Sequence, residues 1–172
     1  MKYGLLGKKL SHSFSKELHN RFGSYDYEMF EVEENNLEDF FSREDLGAIN
    51  VTIPYKEKVM KYCDEISPIG KRIGAINTIT FGDKIRGYNT DYLGLKYVIE
   101  SNDIEIKDKE VFILGDGGTS KTARVVLEDL SAKSITNVTR GKSEVNYENI
   151  YEYSPQVIVN TTPVGMYPNN GK

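Results

Sequence analysis

Polar side chains follow short apolar runs at three points before residue 100, where strand patterns give way to turns or helices. Taken singly, serines before a helix are usually caps, and Asn, Thr or Asp after a strand are usually turn residues. Taken together, hydroxyls, amides, one amine and one carboxylate at one sheet edge would suit a small hydroxylated ligand that carries a carboxylate. The residues concerned are Ser13, Ser15, Thr52, Lys56, Asn77 and Asp91.

Two members of this set, Lys56 and Asp91, are suited to moving a proton. Interconversion of a carbinol and a carbonyl transfers a hydride and also a hydroxyl proton, so one protein group must give or take that proton. Lys56 is the candidate for this group, and Asp91 would hold its amine and share the proton network. This chemistry requires a hydride carrier. A glycine-rich sequence pattern in the second half of the chain is typical of a site for such a carrier.

A glycine turn follows a continuous apolar run that is typical of a buried parallel strand. Gly115-x-Gly117-x-x-Ser120 is close to the dinucleotide fingerprint G-x-G-x-x-G/A, with Ser120 in place of the third glycine. The glycines let the turn tighten and the backbone approach a pyrophosphate, while the following helix offers free N–H groups. A plain tight turn is the alternative. The expected cofactor-binding residues here are Gly115, Asp116, Gly117, Gly118 and Thr119.

The end of the next strand indicates which dinucleotide is bound. An NAD site carries Asp or Glu there to hold the ribose hydroxyl, whereas this chain has Thr139, Arg140 and Lys142. Two cations and a hydroxyl suit a 2′-phosphate, which Arg binds through two parallel hydrogen bonds. We therefore predict NADP as the cofactor, with two solvated loop cations as the alternative. Asp116 works against the site, because its carboxylate would repel a pyrophosphate.

Apolar periodicity places these motifs in an α/β chain. Phe14, Leu18 and Phe22 are spaced for one face of a helix, and residues 55–62 also follow a helical pattern. After the polar stretch 100–109, a strand, a glycine turn, a helix and a second strand form a βαβ unit.

We accordingly expect two domains. Residues 1–100 should form an α/β substrate-binding and catalytic domain with a mostly parallel sheet. Residues 101–172 should form a partial Rossmann-like NADP-binding domain, because three predicted strands follow residue 109 and a complete fold of this kind has about six.

Composition narrows the function classes. The 172 residues carry a net charge of −4, which argues against nucleic acid as a partner, and no apolar run is long enough for a membrane helix. The single cysteine, Cys63, suits a reducing cytoplasm and is expected to be a packed thiol. His12 and His19 stand seven residues apart with no partner pattern, so no metal site is expected.

The motifs, taken in order, resemble those of the shikimate dehydrogenase family. The resemblance runs from Tyr3 to the last residues of the chain. It implies an oxidoreductase that reversibly reduces 3-dehydroshikimate to shikimate with NADPH, on the chorismate route to aromatic amino acids. The matching segments are residues 11–15, 18–20, 50–56, 74–78, 89–91, 115–120 and 160–168.

The resemblance also implies a role for each site residue. Ser13 and Ser15 would bind the substrate carboxylate, and Lys56 with Asp91 would form the catalytic pair. The implied hydroxyl-binding residues are Thr52, Asn77 and Asp91, and the implied NADP-binding residues are those of 115–119 with Thr139, Arg140 and Lys142.

Two alternatives stay open at this point. The first is a dehydrogenase of the same family that acts on quinate or a related polyol. The second is a truncated, non-catalytic fragment that only binds ligand, since 60–100 or so residues of a complete dinucleotide domain would be missing. A small-molecule substrate, a cytoplasmic location and a monomer or homodimer are expected in the main interpretation.

Overall fold

The computed structural model describes residues 1–10, 13–141 and 143–165. The chain divides into two compact units, Met1–Thr90 and Asp91–Lys172. The division therefore precedes the helix that starts at Asp91, whereas the sequence suggested a boundary after residue 100. The physical reason is burial: this helix places Ile99 in the core of the second unit, together with Val111 and Ile113.

The first unit contains six described strands and three described α-helices. The strands are β1 (Lys2–Gly7), β2 (Tyr27–Glu31), β3 (Leu46–Val51), β4 (Glu65–Ile66), β5 (Thr78–Thr80) and β6 (Arg86–Tyr88). The helices are α1 (Ser15–Phe22), α2 (Leu37–Phe41) and α3 (Pro68–Ile73), with 3-10 helices at Glu34–Asn36 and Lys58–Tyr62.

The six strands form one sheet in the order β2-β1-β3-β5-β6-β4. β1 pairs in parallel with β2 and β3, and β4 pairs in parallel with β6. Among the described strands, only β5 runs antiparallel to its neighbours. The prediction of a mostly parallel sheet is confirmed.

The sheet of the first unit is covered on both faces. Leu5 and Leu6 are consecutive in β1, so they point to opposite faces, and both are buried. Leu6 packs in one core with Ile49 and Ile79, whereas Leu5 packs in another with Tyr27. This arrangement makes β1 a central strand and leaves the strand ends as the places where polar side chains meet.

Two helical predictions differ from the structure. Helix α1 is present, but Phe14, Leu18 and Phe22 are 64%, 50% and 84% exposed, so their helical spacing does not mark a face buried in the described core. Residues 55–62 form only the short 3-10 helix Lys58–Tyr62. Tyr55 precedes it, is buried in the core of the first unit, and donates its hydroxyl hydrogen to the Val32 carbonyl oxygen at 2.6 Å.

The second unit has a three-stranded parallel sheet among its described residues. Its elements are α4 (Asp91–Ser101), β7 (Glu110–Leu114), α5 (Gly118–Asp129), β8 (Ser134–Val138) and β9 (Val157–Asn160), with a 3-10 helix at Ile150–Glu152. The strand order is β8-β7-β9, and all pairs are parallel. Val111, Phe112 and Ile113 of β7 are buried, as expected for the central strand of a parallel sheet covered on both faces.

Cys63 is a packed thiol, as predicted. It is half-buried, and burial raises its pKa to about 11, so the thiol stays protonated at neutral pH.

Within the described residues, no helix combines the length and apolar character needed to cross a bilayer. Among the residues that the structure describes, no group of three or more His, Cys, Asp or Glu side chains could hold a metal ion.

Candidate active site

Three segments of the first unit meet at one edge of its sheet. This edge holds the carboxyl ends of β1, β3 and β6, which point the same way, and the amino end of the reversed strand β5. The topology thus gathers residues that lie far apart in sequence, as in other open α/β sheets, where ligands bind at the carboxyl ends of the strands. The gathered segments are 52–56, 77–78 and 89–90.

Asn77 is the centre of the polar cluster at this edge. Its Oδ1 accepts hydrogen bonds from the Thr90 backbone N–H at 2.8 Å and from the Thr78 hydroxyl at 3.2 Å. Its Nδ2 donates to Thr90 Oγ1 at 3.0 Å. The side chain is buried, with 8% of its surface exposed, so its amide is oriented by protein groups before any ligand arrives.

A further chain of hydrogen bonds reaches this cluster from strand β2, along the same face of the sheet. The Tyr27 hydroxyl donates to Asn50 Oδ1 at 2.8 Å, and Asn50 Nδ2 donates to Thr78 Oγ1 at 3.3 Å. Burial raises the pKa of Tyr27 well above its ordinary value, which keeps the phenol a hydrogen-bond donor. The His19 ring stacks on the Tyr27 ring, with centroids 3.9 Å apart.

Sequence analysis did not identify Tyr27 as part of this site. Its position inside the β2 strand pattern looks like that of an ordinary buried aromatic residue. The alternation of side chains along the strands is the only signal that could have placed it on the same face as Asn50.

Ser13 and Ser15 lie together before and at the start of α1. The Ser13 hydroxyl donates to Ser15 Oγ at 3.1 Å and accepts the Ser15 backbone N–H at 3.2 Å. The N-cap position of α1 is Phe14, so neither serine occupies it. Ser11 and His12, which precede them in the motif, lie outside the described residues.

Thr52 and Lys56 stand on a loop whose backbone is tied to the neighbouring segment. The Thr52 carbonyl oxygen accepts the Tyr55 N–H at 2.9 Å, and the Lys56 carbonyl oxygen accepts the Ile76 N–H at 2.8 Å. The buried Tyr55 ring anchors the middle of the loop. Lys56, half-exposed, is thereby held next to the segment that carries Asn77.

Asp91 belongs to a different unit from the other predicted substrate residues. It is the first residue of α4 and of the second unit, and it directly follows Thr90, which bonds to Asn77. The structure therefore brings the segments of Thr52, Lys56 and Asn77 together in the first unit. It places Ser13 and Ser15 at the start of α1 and Asp91 at the start of the second unit.

The glycine turn of the second unit has the conformation that its sequence predicts. Gly115 has a φ of +107°, and a Cβ added there would lie 2.9 Å from Thr161 Oγ1, so the position requires glycine. A Cβ at Gly117 would meet no atom within 4 Å. No other described residue therefore requires glycine at 117, and the open space in front of it would admit a pyrophosphate.

Helix α5 begins at this turn without a side-chain cap. Gly117 occupies its N-cap position, and the first backbone N–H donors of the helix have no partner within the helix. These donors and the positive end of the helix dipole suit an anionic group. Asp116 and Thr119 are exposed beside them.

Ser120, in the third position of the fingerprint, is buried and hydrogen-bonded to Asn137 of β8. Asn137 Nδ2 donates to Ser120 Oγ and to the Gly115 carbonyl oxygen, both at 2.8 Å. Arg124 of α5 donates through Nη2 to Asn137 Oδ1 at 2.5 Å. Neither Asn137 nor Arg124 was identified from the sequence, since a strand asparagine and a helix arginine carry no motif.

The loop after β8 carries the residues expected to select the cofactor. Thr139 Oγ1 lies 3.1 Å from Ser143 Oγ, and Arg140 is exposed and forms no ion pair with another described residue. Lys142 lies outside the described residues, so its role in binding the 2′-phosphate stays a prediction.

Comparison with known proteins identifies the family. A shikimate dehydrogenase (NADP(+)) of Clostridium beijerinckii is 42% identical over an alignment that covers 96% of this chain and 69% of the relative. The chain belongs to the shikimate dehydrogenase family. The family model described as the shikimate dehydrogenase substrate binding domain matches residues 5–79, which lie within the first unit.

Solved structures of shikimate dehydrogenases agree with this assignment. Shikimate dehydrogenase 1 from Peptoclostridium difficile is 38% identical, with a TM-score of 0.93 over 100% of this chain and 71% of that one. A shikimate dehydrogenase solved in complex with NADP+ is 32% identical, with a TM-score of 0.81 over 97% and 68%. The resemblance seen in the motifs is confirmed, and so is the α/β fold with a Rossmann-like second part.

Proposed function

We propose that this chain catalyses the NADP-dependent, reversible reduction of 3-dehydroshikimate to shikimate. The observation that carries the proposal is the pairing of two features within a family member. One is the preorganised amide and hydroxyl cluster around Asn77, and the other is the uncapped, glycine-lined start of α5. The first suits a polyhydroxylated ring and the second a dinucleotide phosphate.

The proposed substrate-binding roles follow from the chemistry of the predicted site residues. Ser13 and Ser15 are neutral donors that can hold a carboxylate without the cost of burying a cation. Thr52, Asn77 and Asp91 offer a hydroxyl, an amide and a carboxylate to the ring hydroxyls. The orientation of Asn77 is held by Thr78 and Thr90.

Lys56 is the proposed proton donor in reduction and the acceptor in oxidation. When bound, NADPH would supply the hydride to the carbonyl carbon. The charge that grows on the carbonyl oxygen would be stabilised by the Lys56 ammonium, which would then transfer its proton to that oxygen. Asp91 is the proposed second member of this proton network.

The residues present fit NADP. The open space at Gly117 and the free N–H donors at the start of α5 suit the pyrophosphate. Arg140, exposed and without an ion-pair partner in the described structure, suits the 2′-phosphate, with Thr139 and Lys142 as the proposed supporting residues. Lys121, in the first turn of α5, is a cation that could offset the repulsion from Asp116.

The experiment that tests the function is a comparison of substrates with the purified chain. NADP-dependent oxidation of shikimate, followed by NADPH absorbance, should have a kcat/KM well above that for quinate. Turnover of quinate in preference to shikimate would instead support the polyol dehydrogenase. Shikimate binding in calorimetry without turnover would support a fragment that only binds ligand. We also propose a cytoplasmic location and a monomer or homodimer, which fractionation and light scattering would check.

A further inference from the structure

Asn137 is a polar residue in a position that usually suits an apolar one. It lies in β8, opposite Ile113 of the central strand β7, and its side chain is turned toward helix α5, where it is partly buried. Its neighbour on the same face, Ile135, packs against the apolar core of the second unit. An amide in such a place is stable only when its donors and acceptor are satisfied.

The partners of Asn137 determine how its amide is oriented. Arg124 can only donate, so it must face the amide oxygen, and the Gly115 carbonyl can only accept, so it must face the amide nitrogen. Both amide hydrogens are then used, one on the Gly115 carbonyl and one on Ser120 Oγ. Arg124 is itself held by a second bond to the Ile135 carbonyl oxygen at 3.2 Å.

The two acceptors of the Asn137 amide are the first and third positions of the dinucleotide fingerprint. One side chain therefore joins both ends of the turn whose middle residues would face the phosphates. A glycine in the third position would offer no hydroxyl to this amide, so the serine at 120 and the asparagine at 137 form a matched pair. A turn that is already held in shape loses less conformational freedom when a ligand binds.

We propose that Asn137, oriented by Arg124, is a positioning residue that holds the glycine turn in its phosphate-binding conformation. This inference rests on the proposed function, in which the turn binds the pyrophosphate of NADP. Asn137 acts through Gly115 and Ser120 and does not touch the cofactor in this role. Its effect is therefore common to all dinucleotides with the same pyrophosphate, unlike that of Arg140, which reads only the 2′-phosphate.

The test is Asn137→Leu, which keeps a similar volume and removes every amide hydrogen bond. Dissociation constants of NADPH and NADH are measured by fluorescence titration with the full chain. Both should rise by the same factor, roughly tenfold, as expected for losing one or two hydrogen bonds that order the turn. Arg140→Ala should instead raise the constant for NADPH alone.

A second measurement needs no cofactor. The Gly115 N–H bonds to the Val138 carbonyl oxygen and the Lys121 N–H to the Gly117 carbonyl oxygen, so their hydrogen exchange reports how firmly the turn is held. Both should exchange faster in Asn137→Leu. Ser120→Ala, which keeps the Asn137–Gly115 bond, should change exchange and affinity in the same direction but by less, and it serves if Asn137→Leu does not fold.

Tyr92→Phe is the matched control. It also removes a side-chain hydrogen bond in the second unit, that of the Tyr92 hydroxyl to Asp129 Oδ2 at 2.6 Å, but this bond does not reach the turn. It should leave both dissociation constants unchanged. Unchanged constants in folded Asn137→Leu, even with a lower melting temperature, would show a purely structural role and overturn the inference. A wild-type chain that binds neither dinucleotide would overturn the proposed function, and the exchange rates would still decide whether Asn137 holds the turn.

Discussion

Lys56 combines a titratable amine with a backbone that is tied to the segment carrying Asn77. Lys56→Ala should therefore lower kcat by about 10²–10⁴, the usual loss for a general acid–base group, with little change in the KM for shikimate. Steady-state kinetics in both directions measure this.

Lys58→Ala is the control for Lys56, because it removes an exposed lysine two residues away that pairs with Glu34 at the surface. It should leave kcat unchanged. Loss of a general acid–base group lowers kcat by about 100-fold or more. If Lys56→Ala keeps more than about a tenth of kcat, the proton-transfer role is therefore wrong.

Arg140 tests the choice of cofactor at the level of one side chain. Arg140→Ala should raise the KM for NADPH roughly 10- to 150-fold, because a hydrogen bond to a charged group contributes about 1.5–3 kcal/mol, and should leave the KM for NADH nearly unchanged. Lys133→Ala removes another exposed cation of the second unit, one paired with Glu110 at 2.8 Å, and should affect neither. An equal loss for both cofactors would contradict the 2′-phosphate assignment.

At the scale of elements, a chain of side-chain hydrogen bonds links three strands of the first unit's sheet. The hydrogen bonds from Tyr27 of β2 through Asn50 of β3 to Thr78 of β5 support the Asn77 amide. Tyr27→Phe keeps the stacked ring and removes only the hydroxyl. The KM for shikimate should rise about 2- to 10-fold, the equivalent of one net hydrogen bond of about 0.5–1.5 kcal/mol, while the KM for NADPH stays the same.

The control for Tyr27 is Tyr25→Phe, whose lost hydroxyl bonds to His19 Nδ1 at 2.7 Å and not to Asn50. This variant should behave like the wild type. A rise in the NADPH KM of Tyr27→Phe equal to the rise for shikimate would mean general destabilisation and not support of the substrate site.

The glycine turn offers a matched pair of substitutions. Gly115→Ala forces a side chain onto a φ of +107° and against Thr161, so we expect a loss of about 1–3 kcal/mol in the free energy of unfolding. Gly117→Ala meets no atom within 4 Å and keeps an ordinary extended backbone, so stability should stay within about 1 kcal/mol.

Gly117→Ala should nonetheless bind NADPH weakly, since a methyl group at 117 occupies the space in front of the turn. Thermal denaturation and NADPH titration separate the two effects. Normal NADPH affinity in Gly117→Ala would show that the pyrophosphate does not approach this glycine.

At the scale of the whole molecule, each unit has its own apolar core and its own set of predicted site residues. Hydrogen exchange should therefore respond to each ligand in a different part of the chain. Shikimate should protect amides in 13–15, 52–56 and 77–78, and NADPH should protect amides in 115–121 and 139–141. Protection by shikimate confined to the second unit would contradict the division of roles.

Local patterns in the sequence determined much of this protein. The G-x-G-x-x-S turn, the buried run of β7 and the polar groups at strand ends each depend on near neighbours, because backbone conformation and the alternation of side chains are local properties. The motifs that indicated the shikimate dehydrogenase family likewise depend on residues that are close together in the sequence.

Only the tertiary structure decided how distant residues act on one another. Helix α4 belongs to the second unit because Ile99 is buried with Val111 and Ile113. The polar stretch after the helix had instead suggested a boundary at its end. Tyr27 and Asn137 look like ordinary strand residues until β2 and β8 are paired. In the paired strands Tyr27 bonds to Asn50 and Asn137 bonds to Gly115. Conversely, the helical spacing of Phe14, Leu18 and Phe22 suggested burial that the described fold does not provide. Periodicity specifies which side chains share a face, whereas the packing of the other elements decides what that face meets.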